Sequence, residues 1–178
     1  MRAFLGIPIH GDLKDKIILA QKRFSQFDIK FVEPVNFHFN LKFFSELEEG
    51  KIEVVKAAVS SACRKHRPFD IKIAGVGAFP NKERARVVWL GVDLGNENLV
   101  SLGDSIQKEL QNIGFEGEIF TPHLTLGRVR SFNASLSKHI EELEDFEAGI
   151  MKVEKIVLFQ STLCPSGPVY GALFNVLL

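Results

Sequence analysis

Cysteine is nearly absent from the 178-residue chain: Cys63 and Cys164 are the only two, and they stand far apart. That leaves no disulfide framework and no paired-cysteine metal cluster. Read as free buried thiols, they fit a reducing cytosol, so a cytoplasmic protein is expected. An excess of charge is missing too, since lysine plus arginine and aspartate plus glutamate each number 22. Coating long nucleic acid takes a broad cationic surface that such a balance does not supply, although gripping a single nucleotide or a chain end remains open. No apolar stretch is long enough to span a membrane. Met1-Arg2-Ala3-Phe4 runs straight into a strand pattern with no N-terminal signal before it. A Gly-rich phosphate loop is also lacking.

Apolar residues, by contrast, are plentiful: they make up 46% of the chain, and sixteen are phenylalanine. This suffices for a sizeable core and suits one domain over 1–178, or two small lobes sharing a core. Residues 2–9 read as a strand. The spacing of Leu13, Ile17, Ile18 and Phe24 predicts a helix from Asp12 to about Phe24, with Gln21 as an exception on the apolar stripe. A short extended piece, Ile29–Glu33, precedes a strand that ends near Ser45. A helix follows from about Gly50 to Lys65, with a hairpin of Phe69–Phe79 and Arg86–Val92 after it. The run Leu99, Leu102, Ile106, Leu110, Ile113 marks a third helix, capped by Asn96 or Asn98 and ended by Gly114. A short polar helix spans about Ala134–Leu143. Strands are expected over Met151–Phe159 and Val169–Val176, around a turn at Cys164–Pro168. Antiparallel-looking strands interrupted by three or four helices make this an α+β domain. The order of elements before residue 46 roughly recurs between 86 and 130, which suggests an internal duplication.

Two stretches carry chemistry. In Thr121-Pro122-His123-Leu124-Thr125-Leu126-Gly127-Arg128, alternation puts His123 and Thr125 on one strand face and both leucines on the other. In His38-Phe39-Asn40-Leu41-Lys42-Phe43, His38, Asn40 and Lys42 share one face, while Phe39, Leu41 and Phe43 share the other. Imidazole is the side chain whose ordinary pKa lets acid and base forms coexist near neutrality. Two of them facing each other across a substrate can move protons on and off in an in-line displacement at phosphorus. Thr125 and Asn40 could hold non-bridging oxygens, Lys42 could add positive charge, and Gly127 could leave room for a ligand. Strict alternation sets Arg128 opposite His123, but a bulge would return it to the site as a phosphate contact. No Cys, Asp or further His stands at metal spacing beside either histidine, so a metal site is not expected.

With its pair of His-x-(Thr/Ser)-x-like motifs, the chain resembles the bacterial and archaeal RNA 2′,3′-cyclic phosphodiesterases, or 2′-5′ RNA ligase-like proteins, of the two-histidine phosphoesterase superfamily. His123-Leu124-Thr125-Leu126 matches fully. His38-Phe39-Asn40-Leu41 departs from the pattern at Asn40, where Thr is usual. Met1-Arg2-Ala3-Phe4 and Ser161-Thr162-Leu163 extend the likeness over essentially the whole length. The resemblance implies a LigT-like fold: α+β and bilobal, with pseudo-two-fold antiparallel sheets, flanking helices and a central cleft. It implies cofactor-free, metal-independent opening of a 2′,3′-cyclic phosphate to a 2′-phosphate, with His38 as general acid and His123 as general base. The implied partners are RNA ends or nucleotides carrying that group; no membrane is involved, and a monomer is expected. Two alternatives stand beside this: 2′-5′ ligase or phosphodiesterase activity on oligonucleotides, and an RNA-end-binding module weakened in catalysis by Asn40. Phe44, Phe79 and Phe120 are candidates to stack on a base, with core packing the default. His10 and His139 are expected at the surface, and His66 as a cation at a helix end.

Overall fold

A computed structural model describes residues 1–165 and 167–178. The chain runs β1 (Ala3–Pro8), α1 (Leu13–Lys22), β2 (Ile29–Phe31), β3 (His38–Phe44), α2 (Ile52–Cys63), β4 (Phe69–Phe79), β5 (Val87–Val92), α3 (Asn96–Asn112), β6 (Leu124–Val129), α4 (Ala134–Glu141), β7 (Glu147–Val153), β8 (Lys155–Cys164) and β9 (Gly167–Leu177). Every strand pairing is antiparallel. The strands form one sheet in the order β7-β4-β5-β6-β3-β1-β8-β9, with β2 added to β6.

That order reads the same from either end. β3 and β6 meet in the middle, β1 and β5 lie outside them, and a longer strand lies outside each of those: β4, the hairpin partner of β5, and β8, from the far end of the chain, beside β1. The helix after β1 packs across the seam on β6 and β7, while the helix after β5 packs against α2 and reaches both β3 and β4. Each half of the sheet is therefore touched by a helix that follows a strand of the other half. Leu13, Ile17 and Ala20 give α1 its buried stripe, with Phe24 buried just past its end, and Leu99, Leu102, Ile106 and Leu110 form that of α3.

Three boundaries differ from the sequence reading. Met151–Phe159 is not one strand: β7 ends at Val153 and β8 begins at Lys155. Exposure alternates up to that point and then gives way to the continuous buried run Ile156, Val157, Leu158 of a strand covered on both sides. Only Glu154 separates two strands that lie toward opposite ends of the sheet, so the sheet curls back on itself there. Neither Asn96 nor Asn98 caps α3. The helix starts behind Gly95, whose φ of 77° is left-handed and whose absent Cβ lets the backbone come against the Asp70 carbonyl. The turn expected over Cys164–Pro168 is narrower: Cys164 still belongs to β8 and pairs with Gly167, which opens β9, with Ser166 outside the described residues. Cys63 and Cys164 are free thiols, and burial pushes Cys63 up to about 11.

The seam itself is short. β3 and β6 share the single ladder pair Phe39–Leu124, and both side chains are fully buried. Phe39→Ala removes the largest side chain at this junction and should cost about 3–5 kcal/mol of unfolding free energy. Urea melts of the two proteins would check it, and a loss below about 1 kcal/mol would show that the halves are held together elsewhere.

Candidate active site at the sheet seam

The Phe39–Leu124 pair fixes where both motifs lie. Since these two side chains point into the core, their neighbours along each strand point to the opposite face. Carried one step either way, the antiparallel register brings His38 beside Thr125 and Asn40 beside His123. Each histidine thus faces the short hydrogen-bonding residue of the other motif across about 5 Å of sheet.

The two imidazoles are held alike. His38 Nδ1–H donates to the Asn36 carbonyl at 2.6 Å, and His123 Nδ1–H donates to the Thr121 carbonyl at 2.8 Å. A carbonyl only accepts, so in each neutral ring the proton sits on Nδ1 and Nε2 keeps its lone pair for the cavity. An aromatic ring backs each one: Phe4 lies 4.5 Å from His38, and Phe79 meets His123 edge-on at 4.8 Å. Burial is the main influence on His38 and lowers its pKa. The Asn36 carbonyl opposes that shift, and the charge of His123 adds to it.

Both motif strands then break their alternation at the same point. Gly6 pairs with Asn40 but Leu5 pairs with Lys42, which leaves Leu41 as an extra residue. Trp89 pairs with Thr125 but Val88 pairs with Gly127, which leaves Leu126 as an extra residue. A bulge of this kind turns every later side chain to the other face. Arg128 therefore swings onto the His123 side and lines the cavity.

The same device overturns the placement of Lys42. Lys42 is turned into the interior, 7% exposed, and its ammonium donates to the Glu116 carbonyl and pairs with Glu118. It therefore ties β3 to the loop before His123, and Phe43 takes its place on the cleft wall. Gly127 does not leave room for a ligand either. A Cβ there would lie 2.5 Å from Ile29 Cγ2 and 3.2 Å from the Phe31 Cα, so the glycine makes room for β2.

The cavity measures about 390 Å³ and holds His38, Asn40, His123, Thr125 and Arg128 together. That is within the usual size for a small-molecule site. Arg2, Lys30, Phe43 and Tyr170 also line it, although the motifs did not point to them. Phe43 is legible only once the bulge is known. Arg2 lies in the family-like opening segment, whereas Lys30 and Tyr170 carry no sequence signal. The Asn40 Oδ1 atom is buried and has no partner. A second cavity of about 310 Å³ shares Asn40, Phe43 and His123 with the first and extends beside Phe79 and Ile119. Of the candidate stacking rings, Phe44 and Phe120 are core, and Phe79 backs His123.

The other histidines lie elsewhere. His10 is exposed, and His66 bonds the Ser105 hydroxyl at 2.9 Å. His139 is not a free surface residue: it donates to the Arg23 carbonyl and packs on Phe24 and Phe27. Among the described residues, no three His, Cys, Asp or Glu side chains cluster as a metal site would require.

Comparison with known proteins places the chain and its fold among relatives. The family model of the 2′-5′ RNA ligase superfamily matches residues 14–162. An RNA 2′,3′-cyclic phosphodiesterase of Methanothermobacter thermautotrophicus is 40% identical over 96% of this chain and 95% of its own. Another, from Thermotoga maritima, is 32% identical over 98% and 94%. A Thermus thermophilus crystal structure superposes with a TM-score of 0.85 at 25% identity, covering 100% of this chain and 98% of that one. Escherichia coli LigT crystallised with 3′-AMP gives 0.79 at 22% identity, covering 99% and 97%, a likeness of fold.

The environment of His38 can be tested without any substrate. An NMR titration should place its midpoint below the ordinary imidazole value of about 6.5. His123→Gln should move that midpoint upward, because a neighbouring positive charge is removed. An unmoved midpoint would mean that the two rings do not sense each other.

Proposed function

The chain belongs to the RNA 2′,3′-cyclic phosphodiesterase family of the 2′-5′ RNA ligase superfamily, and from that premise we propose that it opens a 2′,3′-cyclic phosphate, on an RNA end or a nucleotide, to a 2′-phosphate. The observation that carries this reading is the matched pair of imidazoles, each locked through Nδ1 and each leaving Nε2 to one shared cavity.

In this reading His123 Nε2 takes a proton from water as the water oxygen bonds to phosphorus. The bond from phosphorus to the 3′ oxygen breaks on the opposite side, and His38 Nε2–H supplies the proton that oxygen needs. Water is consumed, and a 2′-phosphate and a 3′-hydroxyl result. Charge that builds on the non-bridging oxygens meets the Thr125 hydroxyl, the Asn40 amide and the Arg128 guanidinium. Burial disfavours the cationic form of His38 in the empty cleft. A phosphate anion arriving beside it opposes that effect, so the acid is charged when substrate is present. The protein is proposed to work as a cytoplasmic monomer.

The second cavity beside His123 favours one further reading. A nucleoside hydroxyl in place of water would turn the same displacement into formation of a 2′-5′ linkage.

The test is hydrolysis of a 2′,3′-cyclic nucleotide and of a short cyclic-ended RNA in EDTA, with and without a 5′-hydroxyl oligonucleotide. Wild type should yield the 2′-phosphate, and His123→Ala should be slower by about a hundredfold or more, the usual worth of a general base. An equal rate in the variant would remove His123 from the mechanism. Tight binding without turnover in wild type would leave a module that only holds RNA ends.

Replacing Asn40 by the family's usual Thr removes a buried carbonyl oxygen that has no partner. Asn40→Thr should keep or raise turnover, and a large loss would show that the amide has a role the hydroxyl cannot fill.

A further inference from the structure

Among the described residues, four polar side chains are buried: Gln21, Asn36, Lys42 and Gln107. Burying such groups is costly unless each finds partners, so where their bonds go is informative. Asn36 and Lys42 serve the motif strands in the ways already seen. The Asn36 carbonyl holds His38, its amide donates to the Pro168 carbonyl, and Lys42 ties β3 to the loop before His123.

The two glutamines go to the bulges. Gln21, on α1, donates from Nε2 to the Leu126 carbonyl at 2.9 Å and to the Val32 carbonyl at 2.8 Å. Gln107, on α3, donates from Nε2 to the Leu41 carbonyl at 3.0 Å, and its Oε1 accepts from Glu118 N at 3.4 Å. Leu41 and Leu126 are the two extra residues. Each bulge is thus bonded by a buried glutamine from a helix that follows a strand of the opposite half.

We propose that Gln21 and Gln107 are positioning residues, which hold the bulges that turn Arg128 and Phe43 into the cleft. An extra residue leaves a strand's carbonyl out of step with its ladder. Without a fixed donor, the strand can regain register by a slip that sends every later side chain to the other face. Gln21 prevents this on β6, where the Leu126 carbonyl receives it together with Val32 N–H. Gln107 prevents it on β3 and fixes the loop that carries His123. Neither glutamine lines the cavity, so neither touches substrate.

The inference rests on the proposed hydrolysis for its kinetic arm only. Gln21→Met keeps the side-chain length and removes both donors. It should lower kcat/KM about 10- to 100-fold, as misplacement of reacting groups does. In an Arg128→Ala background the same change should cost less than about threefold, since the group it positions is already gone. It should add in full to Phe43→Ala. Gln107→Met should show the mirror pattern in part: a reduced further loss with Phe43→Ala, because its hold on the loop before His123 is still lost, and additivity with Arg128→Ala. Full additivity in all four combinations, which merely structural glutamines would give, overturns the proposal. If Gln21→Met does not fold, Gln21→Leu removes both donors without burying a charge and serves the same cycle. A crystal structure of either variant needs no turnover: Arg128 displaced from the cleft supports the proposal, and an unchanged bulge at Leu126 refutes it. Absence of turnover in wild type would defeat the hydrolytic reading while leaving this structural arm intact.

Discussion

Two half-sheets touch through one ladder pair, Phe39 against Leu124, and the cleft depends on that contact. Both side chains must be buried, so the residues on either side of them must point the other way. The antiparallel register then sets His38 against Thr125 and Asn40 against His123 with no further instruction. A slip of one residue between them would exchange core and cleft in one motif relative to the other, and the cost of exposing Phe39 or Leu124 opposes it. The same apolar contact therefore sets both the stability of the seam and the geometry of the site.

Beyond that pair the strands must do something that regular sheet does not allow. Each motif needs its histidine, the residue two places on, and the residue five places on to share a face. Alternation permits the first two and forbids the third. One inserted residue per strand resolves the conflict, at Leu41 and at Leu126, and puts Phe43 and Arg128 into corresponding places. The side chains delivered there differ between the halves. One half presents an aromatic ring and the other a guanidinium, so a pseudo-symmetric frame carries an asymmetric site. Such a site can tell one side of a ligand from the other.

The sequence displays the strands and their histidines because period-two alternation belongs to each strand's own residues. It hides the bulges because a bulge is defined by the partner. Leu41-Lys42-Phe43-Phe44 offers an apolar residue to the core in either register, so Lys42 reads as a cleft residue until Gly6 and Leu5 are seen to skip over Leu41. Gln21 is visible as a polar interruption of the α1 stripe. Its reason, the Leu126 carbonyl 105 residues away, is not. Gln107 lies beside Ile106 at the edge of a regular stripe and leaves no mark. Lys30 reaches the cavity because β2 pairs with β6, and Tyr170 because the β8–β9 hairpin brings its ring against Phe4 and His38, long-range placements that no local pattern encodes.

Charge is as local as the geometry. The chain as a whole is neutral, with 22 basic and 22 acidic residues, yet the cavity draws Arg2, Lys30 and Arg128 to one wall, with Glu33 among its lining residues. Binding along a polymer depends on many phosphate contacts spread over a surface, and it weakens with salt in proportion to their number. A few cations lining one cleft, beside two imidazoles, suit a ligand whose charge is also gathered at one point. A cyclic phosphate at the end of a chain is such a ligand, and an internal phosphodiester held in a helix is not. The proposed preference for cyclic-phosphate ends thus rests on how local the positive charge is, independently of any reading of base sequence.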